Sequence, residues 1–183
     1  KPLSVSAGRK QPGRQAKGAA RFLKSQIRKR ILGTDWWTDC DDCVALRLLC
    51  TAHRRGEIEL TGVVVNACMP VSASSLSAFL VCEGLAALPV GIDLAATDYG
   101  GCPPYQARLA AMPHSIQKNE ACEDGVRLYR RLLVQNGESE LVEIGYPQVL
   151  AALLASPPDE FSPLGGAELV RRHVKKLWMM AGK

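Results

Sequence analysis

Aromatic side chains are scarce in this 183-residue chain, at 5% of positions, and its longest apolar stretches, such as Leu60 to Val65, are interrupted and strand-sized. No run approaches the roughly 20 apolar residues that a membrane-spanning helix needs. Acid is missing from one region altogether: residues 1–30 hold ten Lys/Arg and no Asp or Glu. The net charge of +5 therefore hides a basic tail on a mildly acidic body, which carries all 18 acids. Any basic surface for nucleic acid belongs to the tail at most, and no specific nucleic-acid partner is expected. Cysteine is present but shows no pairing pattern: seven residues, an odd number, at 40, 43, 50, 68, 82, 102 and 122. That usage excludes a disulfide scaffold and suits a reducing compartment, so the expected location is cytoplasmic. Cys40 and Cys43 form a lone CxxC with no second pair to follow, which favours two helix-face cysteines over a zinc site.

What is there is an ordinary globular composition, 47% hydrophobic and 22% charged. Such a length carries about one domain and buries a core without staples. The chain opens on Lys rather than Met, which reads as a start inside a longer translated sequence. Its first 30 residues, with Gly8, Gly13 and Gly18 among Lys, Arg, Gln and Ser, read as a basic, disordered extension. Leu23, Ile27 and Ile31 at a spacing of four among Arg and Lys leave an organellar transit segment open.

From residue 31 to 183 strand-like and helix-like pieces alternate. Strands are expected at 30–34, 59–65, 90–94, 141–144 and 174–180. Helices are expected from about 42 to Gly56, at 72–88, 120–135 and 149–154, and near 166–172. Residues 97–118, with Gly100-Gly101 and three Pro, form a loop-rich excursion. The alternation predicts an α/β, Rossmann-like, three-layer sandwich with a mostly parallel sheet. Ligands in such sheets bind at the carboxyl ends of the strands.

The first crevice loop reads Gly33-Thr34-Asp35-Trp36-Trp37-Thr38-Asp39-Cys40-Asp41-Asp42. Carboxylates crowded this closely resist joint ionisation unless a cation or hydrogen-bond donors neutralise them. An all-oxygen cluster suits a hard cation such as Ca²⁺ or Mg²⁺. The competing reading is a solvated acidic turn in which Asp39 or Asp41 caps the next helix.

This loop resembles the Asp-rich loop of the inosine-uridine-preferring nucleoside hydrolases, in a variant two residues longer that lacks the usual Pro-Gly. Asn66 in Val65-Asn66-Ala67, the runs Leu128–Leu133 and Glu143–Tyr146, Ser156–Asp159, Gly166–Val170 and Val174–Gly182 continue the likeness in the family's order over residues 31–183. The resemblance implies calcium-dependent hydrolysis of the N-glycosidic bond of a ribonucleoside. Asp35 and Asp42 would bind Ca²⁺ with the Ile144 carbonyl, Asp41 would be the general base, and Asn66 would contact the ribose. Asp39, without counterpart in the shorter loop, would be an extra ligand, an alternative base or a cap. Family chains continue past the Met-Ala-Gly stretch to a further Asn, Glu and metal-binding Asp, so these 183 residues carry half of such a site and are truncated relative to the family.

Two other readings stand beside it. Asp39-Cys40-Asp41 resembles the nucleophile motif of haloacid-dehalogenase-like phosphatases, with Lys175 or Lys176 as the phosphate lysine. Alternatively the chain is a catalytically inactive fragment or interaction protein. Its final strand would leave an open sheet edge that allows a homo-oligomer.

Overall fold

The computed structural model describes residues 27–37, 40–96 and 105–181. Most of the basic extension, Asp39 and Cys102 lie outside them. The described part of the extension is not a tail: β1 runs Arg28–Thr34, so the first strand starts three residues before the boundary expected at 31. The remaining elements are α1 (Asp41–Arg54), β2 (Ile58–Val65), α2 (Ser72–Cys82), β3 (Val90–Ile92), α3 (Gln106–Ala110), a 3₁₀ turn (Asn119–Ala121), β4 (Glu123–Asp124), α4 (Gly125–Asn136), β5 (Ser139–Glu143), α5 (Gln148–Ala155), α6 (Gly166–His173) and β6 (Val174–Met179).

Among the described residues every strand pairing is parallel, and the order across the sheet is β4-β3-β2-β1-β5-β6. The expected α/β Rossmann-like class is therefore observed. Side chains alternate along β1 and β2 because successive residues of a strand face opposite sides. Leu32, Val63 and Val65 pack with α1 and α2 on one side, around Leu46, Leu49, Leu76 and Phe79. Ile31 and Val64 pack on the other with α4, α5 and α6, around Leu128, Leu132, Val149 and Leu169.

Two helix boundaries are corrected. The second helix ends at Cys82 rather than Leu88, because Gly84 at φ 75° turns the chain out of it. The helix expected from Glu120 begins at Gly125, where the Asp124 carboxylate accepts the Arg127 backbone N–H at 2.9 Å. The two residues before it form β4, a short edge strand with no hydrophobic alternation to betray it. Helix α2 is buried over nine consecutive residues, Ser72 to Leu80, despite four serines. Its hydroxyls are satisfied internally, as with Ser75 Oγ bonding to the Ser72 carbonyl at 3.2 Å.

At the opposite edge β6 exposes Leu177, Trp178 and Met179. Among the described residues no helix is long and apolar enough to cross a membrane.

Candidate functional site

The strand order reverses between β1 and β5: the chain builds outward from β1 to β4, then returns to the other side of β1. At such a switch point the two loops leaving neighbouring strands diverge and open a crevice. The loops that leave here are the acidic loop after Thr34 and the turn beginning at Ile144, and the Ile144 N–H donates to the Gly33 carbonyl at 2.9 Å.

Thr34, fully buried, organises the acidic loop. Its hydroxyl donates to Asp42 Oδ1 and accepts the Trp36 N–H at 3.1 Å. Asp42 is 1% exposed in the first turn of α1 and so points back at the end of β1. Trp36 adopts φ 50°, a left-handed conformation that a bulky residue enters only when its surroundings enforce it. Here the enforcement is visible. The indole Nε1 donates to Ser75 Oγ at 2.9 Å, and the ring stands edge-on to Phe79 and Tyr105. The Gln106 amide, wholly buried, donates to the Trp37 carbonyl at 2.6 Å and the Trp36 carbonyl at 3.3 Å. Asp35, half-buried, sits between Thr34 and this anchored pair.

Asn66, at the end of β2 and 1% exposed, joins the loops. Its backbone N–H donates to the Thr34 carbonyl at 2.9 Å, and its own carbonyl accepts the Gln148 amide. Its side-chain Nδ2 donates to Glu143 at 2.6 Å, and its Oδ1 accepts the Tyr146 N–H at 3.0 Å. Gly145 closes the convergence. A β-carbon there would overlap the Asp35 nitrogen and Asn66 Oδ1 and stand 2.8 Å from the Thr34 carbonyl carbon.

Glu143, the last residue of β5, is a functional candidate that sequence reasoning passed over. It is 1% exposed and accepts the Tyr129 hydroxyl at 2.9 Å besides the Asn66 amide. Burial pushes its carboxyl up to about 7, against the lowering effect of those two hydrogen bonds. The same burial, with the neighbouring Glu143 charge, pushes the Tyr129 hydroxyl well above its ordinary value. A charged residue amid strand residues was the available signal.

The expected site residues thus separate. Thr34 holds Asp42 and Asn66, the Gly33 carbonyl holds the Ile144 N–H and Gly145 packs against the Asp35 nitrogen, whereas Asp41 is exposed at the first position of α1. Asp41 is not the helix cap; Cys40 holds that position, without a side-chain capping bond. Asp39 lies outside the described residues, and Cys40 and Cys43 are free thiols. Among the described residues no three His, Cys, Asp or Glu side chains are grouped to hold a metal ion. The oxygen donors suit Ca²⁺ in kind, but the described acids alone are too few to enclose one.

Beside the convergence lies a cleft of about 440 Å³, bordered by Asn66, Asp93, Tyr146 and Gln148. The candidate phosphate lysines stand elsewhere. Lys175 and Lys176 flank the start of β6, in register with the start of β5, at the end of the sheet opposite the crevice. Lys175 pairs with Glu138 at 2.7 Å, and Lys176 lies over the Trp178 ring.

No protein-family profile matches this chain, and no curated protein sequence matches it. Among solved structures it is similar to the type III effector protein XopQ, whose crystal structure was determined in complex with adenosine diphosphate ribose. The TM-score is 0.63 at 21% sequence identity, over 91% of this chain and 49% of XopQ. The chain thus spans about half the length of that neighbour, and what the likeness shows is a shared fold.

Proposed function

We propose that the crevice at the ends of β1, β2 and β5 binds the ribose of a small ribosyl compound and serves hydrolysis of its N-glycosidic bond. The observation that carries the proposal is the placement of the acidic loop at the switch point, tied through Thr34 to Asp42, Asn66 and the Gly145 turn. The sequence resemblance to the nucleoside hydrolases and a fold shared with a protein solved around ADP-ribose support it.

The chemistry follows from the residue types. Water adds to the anomeric carbon, the carbon–nitrogen bond breaks, and its electron pair leaves with the base. Asp41 would accept the proton that water gives up, while buried carboxylate stabilises the positive charge that builds on the ribose. Asp35 and Asp42, with the Ile144 carbonyl, would hold Ca²⁺, which when bound acidifies water and orients a diol. Asn66, its amide engaged by Glu143 and the Tyr146 N–H, would border the ribose and hold the turn that contacts it.

The direct test is binding and turnover. ADP-ribose, inosine and uridine are titrated calorimetrically, and ribose release is followed with Ca²⁺ and with a chelator. Saturable binding lost in Asp42→Asn supports the reading; no binding at millimolar ligand sinks it. A phosphatase reading finds no support in the positions of Lys175 and Lys176.

A further inference from the structure

We propose that Glu143 is a positioning residue. It fixes the direction of the Asn66 side-chain amide and, through it, the turn of residues 144–148 that borders the cleft. The inference rests on the ribose reading above and names a residue which that reading does not use.

A carboxyl group 1% exposed is costly to bury unless its oxygens find donors. Glu143 finds two, the Asn66 amide at 2.6 Å and the Tyr129 hydroxyl at 2.9 Å. The space it fills exists only because residue 33 is glycine; a β-carbon there would overlap the carboxyl group. A buried acid is a poor choice for stability alone, since an apolar residue of similar volume in such a place is often neutral or better.

What the acid supplies is direction. An asparagine amide can be flipped without changing its shape, so its neighbours must choose the orientation. With Glu143 on one side, the NH₂ group faces the carboxylate and Oδ1 faces the Tyr146 N–H, 3.0 Å away. The flipped amide would set its NH₂ against the Tyr146 N–H whatever the state of Glu143, and its oxygen against the carboxylate wherever Glu143 is ionised, repulsive contacts in place of bonds. The backbone of Asn66 meanwhile holds Thr34 on one side and the Gln148 amide on the other. Glu143 therefore sets the residue at which three crevice loops meet. Asn66, Tyr146 and Gln148 all border the cleft, so that setting reaches the ligand.

Tyr129 provides the control, because it bonds Glu143 without touching Asn66 through any hydrogen bond of its side chain. The test is calorimetric titration of ADP-ribose into the wild-type chain and into Glu143→Gln, Glu143→Ala, Tyr129→Phe, Asn66→Ala and the Glu143→Ala/Asn66→Ala double variant, each with its melting temperature. Glutamine can accept from Asn66 and donate to the Tyr129 oxygen, so Glu143→Gln should bind within about threefold of wild type. Glu143→Ala should bind about tenfold or more weakly, the equivalent of one lost hydrogen bond. Tyr129→Phe should melt lower yet bind as wild type, and Glu143→Ala should add nothing in the Asn66→Ala background. Affinity that merely follows melting temperature across the set, or full additivity in the double variant, would overturn the proposal. Should wild type fail to bind ADP-ribose at all, the ribose reading falls by itself. Hydrogen exchange of the Asn66 side-chain amide and the Tyr146 backbone amide then decides the present one. Exchange that is fast in Glu143→Ala and slow in Tyr129→Phe and Glu143→Gln upholds the positioning role; slow exchange in Glu143→Ala refutes it.

Discussion

The α-carbon of Gly33 in β1 faces the carboxyl group of Glu143 in β5 so closely that a β-carbon at residue 33 would overlap both oxygens and the carbon between them. Gly33→Ala should therefore destabilise the chain by about 1–3 kcal/mol, the usual range for overpacking. The same substitution made in Glu143→Ala should cost much less, because the obstructing group is gone. Urea unfolding of the two singles and the double measures this coupling directly; additive changes would show that the two residues do not share the space.

Stability should also depend on pH through Glu143. Its folded pKa, about 7, lies above the ordinary 4.5 of the unfolded chain, so the native state holds a proton that the unfolded state has released. The stabilisation is complete below about pH 4.5 and is lost as pH rises to about 7, up to roughly 3 kcal/mol for a shift of this size. Urea midpoints of wild type should fall across that window relative to Glu143→Gln, which has no proton to lose. Parallel profiles for the two proteins would contradict the assignment.

Arg130 gives the opposite sign on the acid side. Its guanidinium is 3% exposed and donates to both Asp159 oxygens, at 2.6 and 2.9 Å, and to Ser156 Oγ at 2.8 Å. It also reaches the Ser162 and Leu164 carbonyls, and so staples the connection between α5 and α6. Those bonds from Arg130 hold the Asp159 carboxyl below the usual carboxylate range. The contribution is present above the unfolded carboxylate pKa near 4 and disappears as pH falls through the folded value. Arg130→Ala should cost about 1.5–3 kcal/mol, the range for hydrogen bonds to charged groups, because Asp159 is itself one-fifth exposed. Asp159→Asn should flatten the loss of stability on the acid side, as read by thermal melts between pH 5 and pH 2.

Calcium is the sharpest test of the acidic loop. On the proposed reading Ca²⁺ binds weakly, at about 10⁻⁴–10⁻³ M, because few charged ligands are supplied. Millimolar Ca²⁺ should raise the melting temperature by mass action, and a chelator should reverse it. Asp42→Asn should remove the effect, Asp41→Asn should leave it largely intact, and Asp39→Asn should weaken it less than Asp42→Asn. A melting temperature indifferent to Ca²⁺ in every variant would leave the loop as an acidic turn held by the Thr34 hydroxyl.

Local pattern alone determined much of this molecule. A β-branched apolar run marked residues 59–65 of β2, helical spacing marked α1, and Asn136-Gly137 marked the end of α4, which Gly137 closes at φ 73°. The crowding of Asp35, Asp41 and Asp42 after a strand pointed to the crevice, since charge density and strand–loop–helix order are both properties of neighbours in sequence. Tertiary structure decided the rest. Only the strand order places β5 beside β1, and only that adjacency brings Glu143 under Gly33 and against Asn66, 77 positions away. Trp36 could not be read as left-handed, because its strain is held by Ser75 and Gln106, from distant segments. Asp41 and Asp42 are neighbours of identical type, yet helix geometry turns one to solvent and the other to the Thr34 hydroxyl. A sequence records which groups are available; which of them meet is fixed by packing, where the need to satisfy each buried polar group leaves few arrangements open.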